Sequence, residues 1–129
     1  METELSNITS SVGTYNSIPT EITSLASVVT MLNGLTITKT ADKEVWADGN
    51  LTYTIVVDNK TEKAYATPVI TDILDNNLIT FVEDSITIND VKATSSEYTY
   101  NQDTNTLTIN LTDIEPNNST TIKFQVSKK

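Results

Sequence analysis

Between residues 51 and 59 the chain alternates: Leu51, Tyr53, Ile55 and Val57 share one side, Thr52, Thr54 and Asp58 the other. A strand has a side-chain period of two, so this stretch is a strand with one dry face and one wet face. The same alternation sets Leu35 and Ile37 against Thr36 and Thr38. It returns where Leu107, Ile109 and Leu111 oppose Thr106, Thr108 and Asn110, and where Ile122, Phe124 and Val126 oppose Thr121, Lys123 and Gln125. Further strands are predicted over residues 64–74, 78–82, 85–88 and 97–100, the last pairing with 106–111 across the loop 101–105. Turn chemistry separates them: Ala47-Asp48-Gly49-Asn50, with Gly49 suited to positive φ, then Asp75-Asn76-Asn77, then Glu115-Pro116-Asn117-Asn118. Pro68 has no N–H to donate and restricts its strand to an edge or a bulge. Seven or so regularly spaced strands with almost no helix signal predict an all-β, two-sheet sandwich over residues 35–129.

Residues 1–34 differ from this pattern and read as an N-terminal arm. They are rich in Ser and Thr, carry three acids and no Lys, and hold two of the three glycines. Leu5, Ile8, Val12, Tyr15, Ile22, Ala26 and Val29 recur at helical steps of three and four, but Gly13, Pro19 and many β-branched residues oppose a helix. Residues 20–32 admit either a short amphipathic helix or a strand, and their Val, Ile and Thr content favours the strand. An apolar strand outside its own domain suits pairing with a sheet edge on a neighbouring subunit. The residues expected to carry that contact are Ile22, Leu25, Val28, Val29, Met31 and Leu32. A disordered leader is the plainer alternative for the same composition.

Charge and composition narrow the function. Seventeen acidic residues against eight basic ones make an anionic surface that repels phosphate backbones and anionic membranes, so neither nucleic acid nor membrane insertion is expected. All eight cations are Lys, which removes the guanidinium fork for bidentate recognition. Without Cys or His there is no disulfide, thiolate, cysteine zinc site or imidazole shuttle, and no enzyme activity or cofactor is expected. No run approaches the roughly 18 apolar residues of a membrane span. Met1-Glu2-Thr3-Glu4 is acidic where a secretory signal starts basic, which suits either a signal already removed or a protein made without one.

Four segments, taken in order, carry a family resemblance. They are Leu-Thr-Ile-Thr-Lys-Thr-Ala-Asp-Lys (35–43), Asp-Gly-Asn-Leu-Thr-Tyr-Thr-Ile-Val-Val-Asp-Asn (48–59), Ala-Thr-Pro-Val-Ile-Thr-Asp-Ile-Leu (66–74) and Ile-Thr-Phe-Val-Glu-Asp-Ser-Ile-Thr-Ile-Asn (79–89). Together with the late turn and strand at 114–126, they resemble the conserved repeat domain of bacterial surface proteins known as domain of unknown function eleven. The resemblance implies an immunoglobulin-like sandwich in an extracellular stalk, adhesin or cell-envelope protein. Its members usually occur as tandem repeats, whereas one copy with a long arm points to a small subunit that gains length by polymerising. Some related surface domains join a first-strand Lys to an Asn beside a buried acid; the resemblance would cast Lys39 as that Lys and Asp72 as the acid. The last strand offers no Asn, and a surface Lys beside a turn acid is the expected reading.

Other candidate chemistry is weaker. Asn101-x-Asp103-x-Asn105 has the opening spacing of a calcium loop but carries Thr106 where Gly is wanted and Thr112 where a bidentate Glu belongs, so a hairpin loop explains it better. Asp72, Asp75, Glu83 and Asp84 could meet at one end of a sandwich and bind a cation, although solvated turn acids are expected. Asn-x-Ser/Thr occurs at Asn7, Asn50, Asn59, Asn110, Asn117 and Asn118, as chance supplies in an Asn- and Thr-rich chain. Trp46 would cap the end of the core or anchor an interface.

The expected function is therefore structural: a subunit of a self-assembling filament or surface or spore appendage, located extracellularly or on a cell or spore surface. Its partner would be itself, head to tail, with a surface anchor protein as a second contact. A stalk or adhesion module that binds a host ligand or glycan through loops 75–77 and 101–105 is the alternative.

Overall fold

The computed structural model describes residues 8–15, 18–25, 30–32 and 34–129. In chain order the strands are β1 (Ile8–Tyr15), β2 (Ile18–Leu25), β3 (Thr30–Leu32), β4 (Leu35–Ala41), β5 (Asn50–Asn59), β6 (Tyr65–Ile73), β7 (Ile79–Phe81), β8 (Thr87–Ile88), β9 (Val91–Lys92), β10 (Tyr98–Asn101), β11 (Thr106–Asn110) and β12 (Asn118–Lys128). No helix occurs among the described residues. The strands form two antiparallel sheets, one ordered β10-β11-β6-β1-β2 and the other β3-β4-β5-β12-β8-β9, with β7 also pairing β12. The molecule is the all-β, two-sheet sandwich that the alternation predicts.

The inner faces meet in one core. Leu35 and Ile37 of β4, Leu51, Tyr53, Ile55 and Val57 of β5, and Ile122, Phe124 and Val126 of β12 come from one sheet. Ile70 of β6 and Leu107 and Ile109 of β11 come from the other. Removing each such side chain from water is worth roughly 1.5–3 kcal/mol. Tyr53 tilts against Phe124 with ring centroids 5.5 Å apart, and Phe81 lies 4.9 Å from Tyr100, so aromatic pairs contribute to the packing of the core. Trp46 packs partly buried against this core while its indole N–H donates to the Gly49 carbonyl at 2.9 Å, the capping role rather than an exposed anchor.

Two local features follow from backbone chemistry. Asn59 is wholly buried and pins the end of β5: its amide nitrogen donates to the Lys63 and Ile114 carbonyls at 2.8 and 2.9 Å, and its oxygen accepts the Thr61 N–H at 3.0 Å. An Asn so enclosed holds the chain and offers nothing to a glycan. Residues 85–88, expected as one strand, shorten to β8 and pair with an unexpected β9. The turn between them, Asn89-Asp90, has φ of 49° and 65°, the two left-handed residues of a type I′ hairpin, which Asn and Asp tolerate without glycine.

The arm forms strands on both sheets of its own chain. β1 and β2 make an antiparallel hairpin that extends the first sheet from β6, and β3 lies beside β4 in the second. The helical spacing in residues 1–29 thus has no helical counterpart in β1 or β2; β-branched content and Gly13 prevailed.

Candidate functional site

Strand β6 is the element on which the arm and the core meet. Toward β11 it pairs from Ile73 opposite Thr106 to Val69 opposite Asn110. Toward β1 it pairs from Ile8 opposite Ile73 to Val12 opposite Val69, then resumes with Thr14 opposite Ala66. Gly13 therefore faces the two residues Thr67 and Pro68, a β-bulge. Thr67 adopts φ 41°, and its N–H is captured by Asp113 Oδ1 at 2.8 Å. Pro68 sits in the bulge, where its missing N–H removes no ladder bond, as its chemistry requires. Within residues 35–129 alone, β6 is an edge strand.

From Thr9 to Gly13 the face that β1 turns inward is small and polar. Thr9 and Ser11 are fully buried, whereas Val12, on the opposite face, is 46% exposed. Thr9 Oγ1 donates to the Thr71 carbonyl at 3.2 Å, and Ser11 Oγ shares a buried hydrogen bond of 3.1 Å with the Tyr65 hydroxyl. At Gly13 the Tyr65 ring fills the side-chain position: a Cβ there would fall 2.2 Å from Cε1 and 2.8 Å from Cζ. Glycine is thus required by space. An aromatic ring laid over a cross-strand glycine, next to a bulge, is a device that pins register.

One row deeper lies a buried ion pair that ties the sheets together. Lys39 falls in phase with Leu35 and Ile37 on the inner face of β4, and Asp72 in phase with Ile70 and Leu74 on β6 and just beyond it. Lys39 Nζ lies 2.7 Å from Asp72 Oδ2 with side-chain exposures of 1% and 0%. The ammonium also sits 4.2 Å from the Tyr53 ring centroid and 5.7 Å from that of Phe124, within cation–π range. Burial pushes the Lys39 ammonium below its ordinary value, opposed by the charge and hydrogen bond of Asp72. Burial first, and the Asp72 charge second, push the Tyr53 phenol up to about 12. Asp72 stands opposite Leu107 on one side and opposite Thr9 on the other, so the arm covers one flank of the pair.

The expectation of a surface Lys beside a turn acid is overturned: both groups are interior, because strand phase outweighs polarity when the partner charge is supplied from the facing sheet. Lys39 Nζ contacts the Asp72 carboxylate and lies over the Tyr53 and Phe124 rings. Buried Asn59 is committed to carbonyls and to the Thr61 N–H. The arrangement is a structural tie between β4 and β6.

The other candidates are not brought together. Asp72 lies in the core, while Asp75 Oδ1 accepts the Asn77 N–H at 3.0 Å and holds its own turn. Asp84 Oδ1 lies 3.9 Å from Lys92 Nζ at the surface. Among the described residues no three acids are placed to hold a metal ion. Asn101 Oδ1 accepts the N–H groups of Asp103 and Thr104 at 2.9 and 3.3 Å, which makes residues 101–105 the hairpin loop between β10 and β11. Loops 75–77 and 101–105 thus use their best acceptors internally. Among the described residues no helix is long and apolar enough to cross a membrane.

No protein-family model, no curated protein and no solved structure matches this chain. Of the expected interface residues, Ile22 and Leu25 fall on β2 and Met31 and Leu32 on β3, while Val28 and Val29 lie outside the described residues. Residues that the sequence pattern did not single out are Thr9, Ser11, Gly13 and Tyr65. Their only signal is that Thr9, Ser11 and Gly13 alternate as the small side of a short strand, the reverse of an apolar inner face.

Proposed function

We propose that this protein is a structural subunit of an extracellular filament or surface or spore appendage, in which the N-terminal arm of one subunit adds as a strand to the sandwich of the next. One observation supports this most: β1 attaches to the edge of β6 through backbone pairing, and from Thr9 to Gly13 the residues it turns inward are small, meeting β6 by single hydrogen bonds and a ring contact. A strand joined in that way withdraws little apolar surface from the core when it leaves, and an open edge templates its return. A tethered arm reaches effective concentrations near millimolar for its own acceptor, so a closed single chain and an open chain donating to a neighbour use the same contacts. A head-to-tail exchange of this kind does not close and gives a fibre. With no Cys in the chain, the durability of the assembly rests on strand addition. The role is mechanical rather than catalytic, and its principal partner is a second copy of the same chain. It fits the implied surface-protein resemblance.

Negative-stain microscopy of the full chain and of the chain lacking residues 1–34 tests this. Fibres from the first and monodisperse particles from the second are expected. A full chain that stays monomeric at every concentration overturns it.

A further inference from the structure

We infer that the segment exchanged between subunits is residues 8–15, seated on β6 of a second copy in one register that the contact of Gly13 with Tyr65 selects. This rests on the strand-addition proposal above and assigns the donor strand, acceptor and key within it. The apolar residues of 22–32 then lie outside the recognition element: on β2, Ile22 and Leu25 stand opposite Ser11 and Ile8, one strand away from β6.

Three observations point to this assignment. The first is fit. Thr9, Ser11 and Gly13 each meet a defined partner on β6, namely the Thr71 carbonyl, the Tyr65 hydroxyl and the Tyr65 ring. A slip of one residue would turn Ile8, Ser10 and Val12 inward and bring Val12 or Thr14 over a ring that leaves no room for a Cβ. A slip of two would keep the face but place Ser11 or Tyr15 there. The second is the bulge: one residue of β1 faces two of β6, and Pro68 and the Asp113-bound Thr67 hold this irregularity on the acceptor side, so only one alignment straddles it. The third is electrostatic. Seventeen acids against eight lysines make copies of this chain repel each other. Residues 8–15 carry no charge, and the outward residues of the strand that receives them, Thr67, Val69, Thr71 and Ile73, carry none either. The seam is where two such anions can meet without opposing carboxylates.

The chain has no native thiol, so the register can be read by cross-linking. Val12 and Val69 are opposed across the β1–β6 seam and both point outward. Full-length Val12→Cys and Val69→Cys chains are mixed from the unfolded state, refolded together and treated with a short bifunctional thiol reagent. Covalent dimers of one V12C and one V69C chain are expected, alongside fibres of the untreated wild type. Adding Gly13→Val to the V12C donor should lower dimer yield roughly tenfold or more, the effect of overpacking a filled site. Adding it to the V69C acceptor should leave the yield undiminished or raise it, because the acceptor's own arm then competes less well for its β6, and this also reports that the body of the G13V chain is folded. Fibres without V12C–V69C dimers overturn the inference while leaving strand addition standing, because another segment or register then enters. Dimers indifferent to G13V in the donor, or lost with G13V in the acceptor, overturn the assigned key. A wild type without fibres, whose V12C/V69C double variant cross-links only within one chain, overturns both the exchange and its register.

Discussion

The two flanks of β6 are hydrogen-bonded alike and packed differently. On the β11 side the inward residues are Leu107 and Ile109, both fully buried in the core. On the β1 side, among the residues whose side chains are described, they are Thr9, Ser11 and Gly13, joined to β6 by single hydrogen bonds and a ring contact. Backbone pairing is common to both seams and sets direction and spacing; the side chains decide how firmly each is closed. A seam of large apolar groups is a permanent part of the sandwich, whereas a seam of small polar groups recognises its strand without binding it irrevocably. The proposed strand addition uses this difference between the two edges of one strand.

Asp72 belongs to both seams, so it gives the largest expected effect. Asp72→Ala strands the Lys39 ammonium in the core and should lower stability to urea by about 3–5 kcal/mol. Replacing Lys39 and Asp72 together with Met and Leu should be nearly neutral or stabilising, since the desolvation of both charges disappears with them. A double variant as unstable as the single one would show that the pair contributes more than a tie between sheets.

Leu107→Ala, on the apolar seam, should cost about 2–5 kcal/mol in the same measurement. Ser11→Ala, its counterpart on the arm, should cost about 1 kcal/mol, one buried hydrogen bond to the Tyr65 hydroxyl. Equal losses at the two positions would abolish the contrast on which strand exchange depends.

The last effect is alkaline and appears only at high pH. Tyr53 has its phenol raised from 10.0 to about 12 in the folded chain, so the fold keeps a proton that the unfolded chain releases. Its contribution to stability is complete below pH 10 and is lost as pH rises toward 12. Unfolding curves across that interval should slope downward, and Tyr53→Phe should flatten the slope. An unchanged slope would place Tyr53 in wetter surroundings than the core it shares with Lys39 and Asp72.

Much of the sandwich was legible because its strands obey one rule. Alternation around Leu51, Leu107 and Ile122 leaves a single dry face per strand, and turn residues such as Gly49 and Asn101 mark the ends, so existence and facing follow locally. The site was less legible. Lys39 and Asp72 stand in the inward phase of their strands, a signal that charge argued against, and only their meeting from opposite sheets resolves the conflict. β1 was harder still: its inner face is the small one, and nothing within eight residues says that a tyrosine at position 65 supplies the missing bulk at Gly13.

Alternation, turn chemistry and charge therefore determined by themselves an acidic all-β sandwich with an arm of different composition, because those properties act over a few neighbouring residues. The tertiary structure alone decided that the small residues Thr9, Ser11 and Gly13 face β6 from the arm, that β6 meets large apolar groups on one edge and small ones on the other, and that a lysine and an aspartate 33 positions apart share the core. Each of these depends on which strand lies opposite which, and that is settled by contacts between residues far apart in the chain.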